Sequence, residues 1–127
     1  MIFFLIFESN SKTGIMDYSE LCGSVRIVAK DAGAFIRDRL DQVTEHHIET
    51  KGKQNFVTFV DKEAEKRIVQ RLETLLPEAG FITEEGTSVK TGIRFTWVID
   101  PLDGTTNFIH GAPPVAVSIA LLEIKSL

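Results

Sequence analysis

The sequence contains few of the residues that mark secreted, zinc-binding or membrane-spanning proteins. It has one cysteine, Cys22, which excludes an internal disulfide and predicts a reducing, cytoplasmic environment. Three histidines, His46, His47 and His110, lack the spacing of metal ligands. The apolar run at residues 2–7 is far too short to cross a bilayer. The sequence therefore predicts no membrane association and no zinc site.

Positive charge is also scarce. The 14 basic residues are outnumbered by 18 acidic ones, the net charge is −4, and no basic stripe is present, which argues against a general nucleic-acid binder. The 43% hydrophobic and 25% charged content is ordinary for a globular protein, and 127 residues make one domain or less.

The two ends of the chain differ from the middle. Residues 1–15 lack the basic residues and the cleavage site of a secretory leader, so we predict a disordered or misassigned extension. Residues 16–127 are then the domain. Because the sequence stops just after a hydrophobic strand, at least one sheet edge would lack a partner, and we expect an incomplete domain.

Apolar residues recur at three- and four-residue steps through residues 17–44, which predicts a helix. Residues 46–54 are polar and predict a loop or hairpin, and residues 55–60 are β-prone and predict a short strand. Asp61 then caps a second helix, which Pro77 and Gly80 end.

Three strands are predicted after the helices. Residues 81–82 form a short one, and residues 95–99 form a buried one that ends at Pro101, since proline has no N–H to donate. Asp103 then suits a helix N-cap, with a helical turn over residues 103–109. Residues 115–124 form a strand long enough to be central. This order of elements favours an α/β layered architecture.

Several carboxylates follow the predicted strands. Glu84 and Asp100 each come just after an apolar strand, and neighbouring parallel strands would bring them to one sheet edge. Two unit charges about 4 Å apart repel by about 4 kcal/mol near a protein surface, so either one protonates or a cation lies between them. All the ligands are oxygens, including Asp103 and the Leu102 carbonyl, and this donor set favours Mg²⁺.

A hydrolytic reaction also needs a water-activating group and an anion site. Asp61 and the Thr105 hydroxyl suit the first task if they lie within hydrogen-bond reach of each other. Free backbone N–H groups at Gly104, Thr105 and Thr106 suit a phosphate.

Three sequence blocks resemble the inositol monophosphatase family of Mg²⁺-dependent, lithium-sensitive phosphatases. They are D-P-L-D-G-T-T-N-F at 100–108, I-T-E-E at 82–85 and N-F-V-T-F-V-D at 55–61. The resemblance runs from about residue 17 to 123. It implies an α/β sandwich like that of inositol monophosphatase and fructose bisphosphatase, with two helices packed on the first strands.

The resemblance also implies a role for each site residue, with two or three Mg²⁺ ions in the complete family site. Glu84, Asp100 and the Leu102 carbonyl would bind the first ion, and Asp100 and Asp103 the second. Asp61 and Thr105 would activate the water, while Glu84, Gly104, Thr105 and Thr106 would contact the phosphate or substrate. Lys51 would lie near a third, more weakly bound ion, and Glu85 would contact the metal ligands rather than the ions.

The sequence departs from the family pattern in two places. Asn55 stands where aspartate is usual, and the W-D-x-A-A-G-like segment of the family's second half is missing, so we expect a truncated form. The implied reaction is hydrolysis of a sugar or cyclitol monophosphate by a homodimer. The alternatives are a nucleotide 3′-phosphate or fructose-1,6-bisphosphate phosphatase, and a non-catalytic fragment or interaction module.

Overall fold

The computed structural model describes residues 2–9, 17–45, 50–103 and 116–124. These ranges contain six elements, which run along the chain in the order strand, two helices and three strands. They are β1 (Ile2–Ser9), α1 (Tyr18–Glu45), α2 (Thr50–Leu75), β2 (Gly80–Thr83), β3 (Phe95–Asp103) and β4 (Ala116–Glu123). The α/β class predicted from the sequence is confirmed.

The first helix follows its sequence period closely. Asp17 caps α1, since its carboxylate accepts the backbone N–H of Glu20 at 3.1 Å. The apolar residues of the helix that are buried are Leu21, Val25, Val28, Ala29, Ala32 and Ile36. Their spacing places them on one face, which joins the main core.

The second helix begins earlier than the sequence predicted. It starts at Thr50 rather than Asp61, so the predicted strand at residues 55–60 is wrong. Val57, Val60 and Ala64 are fully or almost fully buried at three- and four-residue steps. Burial of this stripe outweighs the β propensity of the segment. Asp61 therefore lies inside the helix and does not cap it.

Four strands form one sheet in the order β1-β4-β3-β2. β4 is parallel to β1 and antiparallel to β3, and β3 is parallel to β2. Residues 1–15 were predicted to be a disordered or misassigned extension; within them, Ile2–Ser9 forms β1 and pairs with β4 along its whole length. The physical reason is that β4 offers an open edge whose backbone groups an apolar, β-prone segment can pair.

The third strand continues past the proline that was expected to end it. β3 runs to Asp103, and its register against β4 shifts between Asp100 and Asp103. One extra residue on β3 makes a bulge, which accommodates the missing N–H of Pro101. Asp103 is thus a strand residue rather than a helix N-cap, and residues 104–109 lie outside the described ranges.

The core lies between the helices and one face of the sheet. Along the strands, the fully or almost fully buried side chains on this face are Phe81, Phe95, Trp97, Ile99, Val117, Ile119 and Leu121. The intervening residues on the opposite face are half-buried or, like Ile82, exposed. Neither of the two helices that the structure describes is apolar enough over a sufficient length to cross a membrane.

Candidate functional site

Two acidic residues are neighbours at the point where the pairing of β2 with β3 ends. In the parallel register of these strands Thr83 pairs with Ile99, so Glu84 and Asp100 are the next residues on each strand. Glu84 is exposed and Asp100 is half-buried. The structure therefore brings together the two carboxylates that the sequence placed after neighbouring strands.

The α2 helix adds a third carboxylate here. Asp61 is buried, and its side chain forms a hydrogen bond with that of Glu85. Its Oδ1 atom has no hydrogen-bond partner among the residues that the structure describes. An unsatisfied buried carboxylate oxygen is costly unless another group, such as a cation or a water, reaches it.

The electrostatic environment of Asp61 is strongly negative. The pKa of Asp61 is raised to about 8, chiefly by burial and then by the hydrogen bond to Glu85 and the charges of Glu85, Asp100 and Glu65. Asp61 therefore carries a proton at neutral pH in the absence of a cation. A site with this property is suited to a positive ligand, which would favour the ionised carboxylate.

A fourth carboxylate, Glu65, holds the loop that follows β2. Its oxygens accept the backbone N–H of Glu85 at 3.1 and 3.2 Å, the N–H of Thr87 at 3.3 Å and the Thr87 hydroxyl at 2.7 Å. Gly86, between these two residues, has a φ of 70°, which glycine adopts without strain. The loop is thus fixed to α2 immediately after Glu84.

Glu65 was not among the residues predicted from the sequence. It is completely buried, and it lies one helical turn after Asp61. The four-residue step from Asp61 was the available clue, since it places both carboxylates on the same face. With the helix predicted to begin at Asp61, Glu65 was instead interpreted as a first-turn charge that favours the positive N-terminal end.

The described side chains do not by themselves form a metal site. Within them, no group of three or more histidine, cysteine, aspartate or glutamate residues is arranged to hold a metal ion. Leu102 and Asp103 belong to β3 by their backbone, but their side chains lie outside the description. The carboxylates of Glu84, Asp100 and Asp61 nevertheless supply the oxygen donors that Mg²⁺ prefers.

Four predicted site residues lie wholly or partly outside the description. Gly104, Thr105 and Thr106, the expected phosphate-binding and water-activating residues, lie outside the described residues. Lys51 lies in the first turn of α2 by its backbone, and its side chain is outside the description. The roles given to these residues stay predictions.

Comparison with known proteins identifies the family that shares these features. The sequence pattern of the family described as "Inositol monophosphatase family" matches residues 17–126. A fructose-1,6-bisphosphatase/inositol-1-monophosphatase of Aquifex aeolicus is 37% identical over 98 residues, which are 77% of this chain and 37% of that protein. Nus factor SuhB of Vibrio cholerae is 45% identical over 94 residues, which are 73% of this chain and 35% of that protein.

A solved structure agrees with the sequence comparisons. The inositol monophosphatase of Anabaena (Nostoc) sp. PCC 7120 superposes with a TM-score of 0.67 at 28% identity, covering 85% of this chain and 37% of that one. The chain thus spans little more than a third of the length of the relatives it matches. The match begins at residue 17, so β1 lies outside it.

Proposed function

Because the chain belongs to the inositol monophosphatase family, we propose that it supplies the first metal-binding edge of a phosphomonoesterase. The proposed substrate is a sugar or cyclitol monophosphate such as myo-inositol monophosphate, and the proposed cofactor is Mg²⁺. The observation that carries the proposal is the register that makes Glu84 and Asp100 neighbours at the ends of β2 and β3. Asp61 supports it, since it is buried, interacts with Asp100 and has one oxygen without a hydrogen-bond partner among the described residues.

The donor chemistry of this edge fits Mg²⁺. Glu84, Asp100, Asp103 and the Leu102 carbonyl would hold the ions, and bound Mg²⁺ would polarise the phosphate and lower the pKa of a water. All these donors are oxygens, and the one cysteine and three histidines of the sequence lack the spacing of a zinc site.

In the proposed reaction Asp61 holds or accepts a proton at its carboxylate. The unprotonated form, which a neighbouring cation favours, can take a proton from water together with the Thr105 hydroxyl. The backbone N–H groups of Gly104, Thr105 and Thr106 would bind the phosphate oxygens, and Glu84 would face the substrate. Glu85 restrains Asp61 through its hydrogen bond, and Lys51 would lie near a weaker third ion.

The proposed substrate class is supported by a relative that is named fructose-1,6-bisphosphatase/inositol-1-monophosphatase. Within the class, a nucleotide 3′-phosphate is the remaining candidate. We further propose inhibition by Li⁺, a cytoplasmic location and a homodimer of the complete protein. These follow from the family resemblance, and the single cysteine agrees with a reducing compartment.

An assay of phosphate release tests the proposal. The chain is incubated with inositol 1-phosphate, fructose 1,6-bisphosphate or a nucleoside 3′-phosphate, with Mg²⁺ and then with added Li⁺. We expect release from the sugar or cyclitol ester that requires Mg²⁺, falls with Li⁺ and is lost in Asp100→Asn. Glu73→Gln, which removes an exposed carboxylate from the same helix as Asp61, is the matched control. Release that is independent of Mg²⁺ and of Asp100 would contradict the proposal.

A second candidate is a non-catalytic interaction module. The open face of the sheet favours it, since Ile82, Val98 and Ala120 lie in register across three strands, and Ile82 is 56% exposed. The relative named as a Nus factor carries no enzyme name. A chain that shows neither turnover nor Mg²⁺ binding, but self-associates in sedimentation until Ile82 is changed to Lys, would favour this second function.

A further inference from the structure

We infer that Glu65 is a positioning residue for the metal-binding edge. Its carboxylate fastens the loop after β2 to α2 and thereby holds Glu84 in register with Asp100. The inference rests on the proposed function, because that function makes Glu84, the first residue of the loop, a metal ligand. Glu65 itself contacts no ligand in this account and acts only through the loop.

Glu65 binds the loop through several hydrogen bonds. Three donors converge on it, namely two backbone N–H groups and one hydroxyl, and all belong to Glu85 and Thr87. Bonds to a carboxylate are stronger than bonds between neutral groups. Because the residue is completely buried, breaking them would leave an uncompensated charge in the interior.

The loop begins directly after a short edge strand. Glu84 follows the last paired residue of β2, Thr83, and β2 is an edge strand of only 4 residues. The sheet holds the loop at Thr83 and, further along, where the Phe81 N–H donates to the Lys90 carbonyl at 2.9 Å. The bonds from Glu65 to Glu85 and to Thr87 supply the restraint between these two points.

A second carboxylate of α2, Asp61, reaches the same loop. Asp61 and Glu65 lie one turn apart on α2, and both reach the same loop, one through the Glu85 side chain and the other through its backbone. The two interactions differ in consequence. Asp61 can exchange its bond for another partner, whereas Glu65 binds main-chain donors that stay in place. Groups that orient metal ligands in this way typically change metal affinity by about 10-fold to 100-fold when altered.

Two variants test the inference with readouts that do not depend on turnover. Glu65→Gln places an amide N–H₂ against donors and should break at least one bond. We expect a roughly 10-fold weaker Mg²⁺ affinity by calorimetry. Amide hydrogen exchange should become faster at Glu85 and Thr87 while that of Trp97 in β3 is unchanged. Glu73→Gln should alter neither readout.

If Glu65→Gln does not fold, substitutions of the exposed Thr87 decide the question. Thr87→Val removes one donor to Glu65 and should weaken Mg²⁺ binding and speed exchange at Glu85. Thr87→Ser, which keeps the hydroxyl, should restore both. A merely structural role would lower stability in Thr87→Val without changing the Mg²⁺ affinity of the folded protein, and that result would overturn the inference.

The outcomes also separate this inference from the proposed function. If the wild-type chain binds no Mg²⁺, the proposed function is contradicted. Amide hydrogen exchange at Glu85 and Thr87 in Glu65→Gln then shows by itself whether Glu65 fixes the loop. Wild-type chain that binds Mg²⁺, with equal affinity and equal exchange in Glu65→Gln, contradicts only the positioning role. Weaker binding with faster exchange in the variant supports both.

Discussion

The side chains of Asp61 and Glu85 are hydrogen-bonded to each other, although both are carboxyl groups. Such a bond requires a proton on one of them, and the pKa of Asp61 raised to about 8, first by burial, places the proton there at neutral pH. The pair links α2 to the end of β2, where Glu84 and Asp100 lie side by side. This link makes both the stability and the cation binding of the chain depend on pH.

Replacement of Asp61 by Asn should change the pH dependence of stability. In the unfolded chain the aspartate ionises near its ordinary pKa, so the folded state holds the proton more tightly between about pH 4 and about pH 8. Its contribution to stability is fully present below that range and is lost as the pH rises through it. We therefore expect Asp61→Asn to be more stable than wild type by roughly 2–4 kcal/mol at pH 7.5, and by less than about 1 kcal/mol at pH 4.5.

Urea denaturation at both pH values, in buffer with a metal chelator, measures this difference. Glu73→Gln serves as the control for loss of an exposed carboxylate, and it should shift stability by less than about 0.5 kcal/mol at either pH. An Asp61→Asn variant with the same stability difference from wild type at both pH values would contradict the raised pKa.

The close approach of Gly80 and Gly92 predicts a second stability effect. A Cβ atom at Gly80 would lie 2.1 Å from the backbone nitrogen of Gly92, so Gly80→Ala must displace the loop that packs on β2. We expect a loss of about 2 kcal/mol or more in the free energy of unfolding. Gly23→Ala in α1 meets no atom within 4 Å and should instead gain up to about 1 kcal/mol. Equal effects of the two alanines in urea denaturation would contradict the described packing.

The β1 strand should protect the edge of β4. It pairs with β4 over all 8 of its residues, yet it lies outside the family match. Removal of residues 1–16 would expose a row of unpaired backbone groups, which favours association between chains. We expect lower thermal stability and a larger mass in light scattering coupled to gel filtration. A shortened chain that stays monomeric and melts at the same temperature would show that β1 adds nothing to the sheet.

An ion pair between a partly exposed arginine and a buried glutamate lies at the opposite end of the sheet. Arg94 contacts the Glu123 carboxylate at 2.6 and 2.7 Å, and the Tyr18 hydroxyl donates to the same carboxylate. Arg94→Ala would leave a buried charge with less compensation and should cost about 1–3 kcal/mol, since the arginine is partly exposed. The Mg²⁺ affinity of the folded variant should be unchanged, because Phe95, which pairs with Glu123, begins β3 and Asp100 lies near its end. A loss of affinity equal to that of Asp100→Asn would contradict the proposed location of the site.

The sequence predicted the parts of the fold that depend on a clear period. The α1 helix carried apolar residues at helical steps, and β4 was long and apolar enough to be central. The sequence also placed acidic residues after two apolar strands, and the parallel pairing of β2 and β3, which had been only a condition, makes Glu84 and Asp100 neighbours. These features depend on local sequence or on simple sheet geometry, so they can be predicted from a single sequence.

The errors arose where tertiary packing decides between two local preferences. Val57 and Val60 favour a strand by propensity, but their burial against α1 makes them helical. Pro101 ordinarily ends a strand, but a bulge carries β3 past it. The partner of β1 is more than a hundred residues away, and the role of Glu65 depends on a loop twenty residues later. A local sequence pattern does not predict either of these long-range contacts.

Calorimetric titration of Mg²⁺ into the folded chain and its Asp100→Asn variant tests the central claim most directly. The claim is that the ends of β2 and β3 form a divalent-cation site. We predict that the wild-type chain binds Mg²⁺ with release of a proton near pH 7, since the cation displaces the proton of Asp61. We also predict that Asp100→Asn loses this binding while Glu73→Gln keeps it. Binding that is absent from the wild-type chain, or unchanged in Asp100→Asn, would contradict the account.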